Sequence, residues 1–161
     1  MTVHNIEDFH KRSRRFADDV KTYVEGYLPL KKIVSTQKLD GTNNPELSTS
    51  LDQARGLVAF LGPRVKNADP EFLYGVDFYK PQHISPGWKN DDWNQWVDDA
   101  KRLLAGAHSL SDTNADLHDL IGKIAQGTFS AIEGFLTAAD EQKLPKEVRI
   151  ECEELLNKAH S

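Results

Sequence analysis

The chain has 161 residues, 39% of them apolar and 28% charged, with a formal net charge of −5 and a single cysteine. That length and balance describe one globular domain covering residues 1-161, which buries roughly 70% of the surface of its unfolded chain, and they exclude a disordered polymer. A lone Cys152 excludes an internal disulfide and a thiol-only metal site. No apolar run reaches the ~20 residues that cross a bilayer, and overall acidity argues against duplex binding, which needs a basic face.

The first segment repeats Ile6, Phe9, Phe16, Val20, Tyr23 and Tyr27 at helical spacing, with Ser13 in the missing place. This predicts an amphipathic helix capped by Asn5, acidic in its first turn at Glu7 and Asp8, and stopped by Gly26 and Pro29. "LPLKKIVSTQKL" predicts a further short helix, and "DGTNNPELSTS" reads as a loop. Ser50 and Gln53 form a capping-box pattern ahead of Leu51, Ala54, Leu57, Val58 and Leu61, so a second long helix is expected to begin there and to end at Gly62-Pro63. Asp69-Pro70-Glu71 predicts another short helix.

From Gly75 to Gly87 no period is sustained, which reads as an irregular connection. Asn90 is placed to cap a helix carrying Trp93, Trp96, Val97, Ala100, Leu103 and Leu104 on one broad stripe, with Lys101, Arg102 and His108 at its negative end. "SLSDTNADLHDL" reads as the separator before the longest helical pattern, Leu117 to Phe135. Gly122, Gly127 and Gly134 each cost that helix about 1 kcal/mol against alanine, so either a neighbour packs closely or the helix breaks near Gln126-Gly127. Leu144-Pro145 opens a last helix bearing Val148, Cys152, Leu155 and Ala159. With no alternating β-like run, the expected fold is an all-α bundle of five or six helices.

Three constellations carry possible chemistry. The first is aromatic: all three tryptophans fall within Trp88 to Trp96, where Trp93 and Trp96 share a core stripe. Trp88 precedes the helix and is either a lid on the core or, with Tyr79, Lys80 and His83, part of an aromatic, partly basic partner-binding loop. The second is the basic run "HKRSRR". Its Arg14 and Arg15 can pair with Asp18 and Asp19 four residues on, and Lys11, Arg12, Arg14 and Arg15 can alternatively present a patch to RNA phosphates or an acidic partner.

The third is Arg102 and His108 in "RLLAGAH". These seven residues resemble the R-x4-6-H pattern of the HEPN family of helical ribonucleases. The resemblance implies a small helical bundle in which arginine and histidine from two subunits meet at a dimer cleft and cleave RNA without metal. Histidine there moves the proton of the 2′-hydroxyl while arginine steadies the phosphate. Where the family commonly has a polar residue after the arginine, this chain has Leu103.

His118 beside Asp119, near Asp112 and Asp116, suits either an acid–base pair or the positive end of a helix. Glu7-x-x-His10 has the spacing of a di-iron ligand pair but lacks the second copy such a site needs. No zinc spacing, phosphate loop or nucleophile elbow occurs, so neither metal nor cofactor is expected.

The residues therefore predict a non-catalytic helical protein that acts on another protein, as an inhibitor, immunity-type protein, adaptor or assembly subunit. Net charge favours a basic partner. The lone thiol and an N-terminus without the charged-then-apolar order of a secretion signal place it in the cytoplasm. A HEPN-like ribonuclease using Arg102 and His108 is the alternative.

Overall fold

A computed structural model describes residues 4–36, 45–65, 69, 71–83, 87–106 and 111–160, without the side chains of 29–36, 45–47, 104–106 and 111–118. Five α-helices account for most of it: α1 (Ile6–Thr36), α2 (Pro45–Leu61), α3 (Trp93–Gly106), α4 (Ser111–Ala138) and α5 (Lys146–His160). A 3-10 turn, Gly75–Phe78, lies between α2 and α3. Among the described residues there is no strand, only an isolated antiparallel bridge between Tyr79 and Ala139. The all-α bundle expected from periodicity is the fold. No helix among the described residues is long and apolar enough to cross a membrane.

The helices meet because each buries one apolar stripe. α1 packs along α2 and α5, α3 along α4, and α2 also touches α3 and α4. One cluster joins Phe16, Val20 and Val24 of α1 to Leu57 and Phe60 of α2, Ile132 and Phe135 of α4, and Cys152 and Leu156 of α5. Phe16, Phe60, Phe78 and Phe135 form its aromatic centre, with ring centroids 4.8 to 5.9 Å apart. Such tilted and edge-on pairs add to the burial of apolar area.

Helix ends were the least legible part of the sequence. α1 does not stop at Gly26 and Pro29 but runs to Thr36, absorbing most of the short helix expected after it. Gly26 faces Ser50 of α2, and Tyr27 and Leu28 pack on the core, so tertiary packing outweighs the helix-breaking cost of both residues. α2 begins at Pro45, within the segment read as a loop. Proline suits the first helical position, and Ser50, expected to cap the helix, is instead buried inside it. α4 likewise begins at Ser111, so most of the expected separator is helical; Asp40 to Asn44 and Ala107 to Leu110 lie outside the described residues.

Asp69 opens a single turn rather than a helix. Its carboxylate accepts the Glu71 amide at 2.9 Å and its carbonyl the Phe72 amide at 3.0 Å. Asp77 then accepts the Tyr74 amide at 2.7 Å and pairs with Arg64, which fixes the extended Tyr74 against the segment that follows α2.

The stop at Gly62-Pro63 and the start after Leu144-Pro145 fall where the sequence puts them, and α4 passes unbroken through Gly127. A Cβ at Gly127 would sit 2.9 Å from Cδ1 of Trp93, so this glycine is the close-packing site and not a break. Gly87 has a φ of 114° and crosses so near Gly62 that a Cβ would lie 2.6 Å from the Gly62 carbonyl carbon. Only glycine fits there without strain.

Candidate functional site

Along α1, the spacing His4, Asp8, Lys11, Arg12, Arg15 keeps to one side of the helix. This side faces Gly56, Ala59 and Phe60 of α2 and the 71–74 segment, and together they line an open groove of about 750 Å³. The small residues on α2 leave room above Phe60, while the turn at Asp69 sets Phe72 at the edge, 63% exposed. A groove of this size lies within the ordinary range of ligand sites, about 300–1,000 Å³.

Its charges are unevenly satisfied. Asp8 accepts the Asn5 amide at 3.1 Å and lies 3.8 Å from His4, so it is engaged in capping α1. Lys11, Arg12 and Arg15 form no ion pair with any carboxylate among the described residues. The Arg12 guanidinium lies over the Phe60 ring, 4.0 Å from its centroid, and its Nη1 is buried without a hydrogen-bond partner. Burial holds its pKa below the usual arginine value, repulsion from Arg15 adds to this, and Asp19 partly opposes it. An arginine stays protonated under these conditions, so the groove holds a fixed cation with one buried nitrogen that no protein group accepts from.

Arg14, one residue on, shows the contrast. It pairs with Asp18 at 3.2 Å and with Glu151 of α5 at 2.7 Å, and these bonds raise its pKa. The basic run is thus split: Lys11, Arg12 and Arg15 face the groove, and Arg14 ties α1 to α5. No Arg15–Asp19 ion pair is present; the charge of Asp19 is felt at Arg12, whose pKa it raises in part. Arg55 also has a buried nitrogen without a partner, but Asp98 neutralises that side chain at 2.6 Å.

The aromatic loop is divided too. The Tyr79 and His83 rings meet edge-on at 5.3 Å, and the Lys80 amide donates to the Ala138 carbonyl at 2.9 Å. Burial raises the Tyr79 phenol. Trp88 is half-buried, edge-on to Trp93 with centroids 6.3 Å apart, and its amide donates to the Leu61 carbonyl at 2.9 Å. It packs beside Gly127, whereas Tyr79 packs beside Ala139, so about 18 Å of α4 separates them. Trp88 covers Trp93, while Tyr79, Lys80 and His83 lie at the far end of α4.

Arg102 is exposed on α3 and pairs with Asp99 beside an open groove lined also by Leu103, Asp119 and Leu120. His108 and the side chain of His118 lie outside the described residues. Among the described residues no three His, Cys, Asp or Glu side chains converge as metal ligands. Phe60, Gly56, Phe72 and Tyr74 were not anticipated in a site; the one sequence signal was an unsupported aromatic pair in "DPEFLYG". No family model, curated protein or solved structure matches this chain.

Proposed function

We propose that the chain is a non-catalytic, one-domain interaction protein that holds a partner protein by an acidic segment laid in the α1–α2 groove. The observation that supports this most strongly is Arg12, a cation fixed over Phe60 with a buried, unpartnered N–H, between Lys11 and Arg15, which pair with no carboxylate among the described residues. Exposed Phe72 supplies an apolar anchor at the rim, in the manner of an interface with a few aromatic and arginine contacts at its centre.

The net charge of −5 would steer a basic protein toward the molecule at long range. Contact in the groove is governed instead by the local cations, and these favour carboxylates or phosphates. An inhibitor, immunity-type protein, adaptor or assembly subunit fits such a site. A cytoplasmic location agrees with Cys152 as a buried free thiol.

Fluorescence anisotropy with labelled acidic and basic peptide pools, each seeded with Phe and Leu, tests the reading. The acidic pool binds with an affinity that falls as salt rises, and Arg12→Glu with Arg15→Glu weakens it by about a hundredfold or more, given the worth of charge-assisted bonds. Preference for the basic pool, or a loss caused by Tyr79→Ala with Trp88→Ala and not by the charge reversals, transfers the site to the other surface. RNA cleavage in EDTA that needs Arg102 and His108 establishes the ribonuclease alternative.

A further inference from the structure

We infer that the group this groove takes from the partner is a phosphate monoester on a Ser, Thr or Tyr side chain, read by Arg12 and Arg15 with Lys11 beside them. This rests on the interaction reading above and adds the chemistry of the ligand. Lys11, Arg12 and Arg15 line one groove, and a phosphate monoester, with about −1.5 to −2 charges at neutral pH, offers them three acceptor oxygens where a carboxylate offers two.

The groove also holds Asp8 and Glu71. A long run of acidic residues would bring several charges near these carboxylates, but one compact dianion concentrates its charge on the cations. Arg12 is suited to the central contact. Its guanidinium is held against Phe60, so little side-chain freedom remains to be lost, and its buried Nη1 has no acceptor in the free protein. Arg15 repels Arg12 in the free protein, and a bound dianion turns that repulsion into shared attraction.

A peptide is favoured over RNA. The cations are confined to a groove between two helices, and two basic neighbours among the described residues are committed elsewhere, Arg14 to Glu151 and Arg64 to Asp77, which argues against a continuous track for a polynucleotide backbone. Phe60, Leu73 and Tyr74 give the residues flanking the phosphate an apolar wall.

The experiment compares four labelled probes on the intact protein: a degenerate peptide pool centred on phosphoserine, phosphothreonine and phosphotyrosine, the unmodified pool, the same pool with a central Glu, and single-stranded RNA. Phosphorylated peptides bind at least about tenfold tighter than the Glu pool, and inorganic phosphate competes. Arg12→Lys retains the charge but not the fork and weakens binding by about tenfold, while Arg12→Met abolishes the preference. Affinity also falls as pH drops through about 6, where the phosphate takes up its second proton.

Circular dichroism and a thermal melt of each variant show whether the bundle is intact, and Arg12→Lys carries the test if Arg12→Met does not fold. Equal binding of the Glu and phosphorylated pools overturns the phosphate inference and leaves the acidic-segment reading standing. Binding of none of the peptide pools overturns both. RNA bound more tightly than every peptide, with the same dependence on Arg12, overturns both in favour of a nucleic-acid site.

Discussion

The corner where α3 meets α4 and the groove between α1 and α2 each bury a polar nitrogen against an aromatic ring, and they treat it in opposite ways. Trp93 is 0% exposed, and its indole N–H donates to the Ile124 carbonyl at 3.3 Å while Trp88 covers it edge-on. Thr128 donates to that same carbonyl at 2.7 Å. At the groove, Arg12 lies against Phe60 with a buried nitrogen that nothing accepts. A satisfied buried group stabilises its surroundings, whereas an unsatisfied one costs stability and points to a binding role. The comparison separates the part of the molecule that holds the fold from the part that serves a partner.

The sharpest way to break the comparison is at its stable side. Trp93→Ala removes the largest fully buried side chain and opens a cavity beneath Trp88, with an expected loss of about 3–5 kcal/mol in urea unfolding. A loss within about 1 kcal/mol would mean that the corner is not the structural anchor described.

Gly127→Ala comes next. Its Cβ would press on the Trp93 ring, and overpacking of about 1–3 kcal/mol exceeds the about 1 kcal/mol that alanine returns to a helix, so a net loss is expected. Gly122→Ala, exposed with no atom near its Cβ, should instead gain about 0.5–1 kcal/mol. Opposite signs in paired thermal melts check the packing; the same sign at both sites contradicts it.

Arg12→Met reverses the usual expectation for a half-buried charged residue. Its guanidinium contributes about 0.5–1 kcal/mol over the Phe60 ring but leaves a donor unpaired, so the variant should match the parent within about 1 kcal/mol or exceed it. A loss of several kcal/mol would make Arg12 a structural residue.

Cys152 gives the smallest and most local check. Burial first, then the charge of Glu151, pushes its thiol up to about 12. Because a raised thiol pKa keeps the group protonated in mildly alkaline buffer, Ellman's reagent should react only as the bundle opens. Rapid labelling of the native protein would show that α5 is not seated on the core.

What the sequence made legible follows from how local each feature is. The stripes of α3 and α5, the stop at Gly62-Pro63, the start after Leu144-Pro145, and the tight packing offered as one reading of Gly127 come from spacing or backbone chemistry within one turn. The run of α1 through Gly26 and Pro29 was not legible, because contacts from α2 and the core override a local stop signal. The basic run was visible as a run, but its division between Arg14 and Arg12 depends on Glu151 and Phe60, which are distant in sequence. Trp88 was legible as a residue with two readings, and only its place beside Gly127 separates it from Tyr79.

The most direct test of the central claim, that Arg12 is held underpaired for an anion, is the side-chain NMR signal of each arginine during titration with the phosphorylated peptide pool. The account predicts saturable shifts at Arg12 and Arg15 and none at Arg14, whose guanidinium is already occupied by Asp18 and Glu151. Shifts at Arg14 or Arg102 with Arg12 unmoved, or no saturable shift at all, would contradict it.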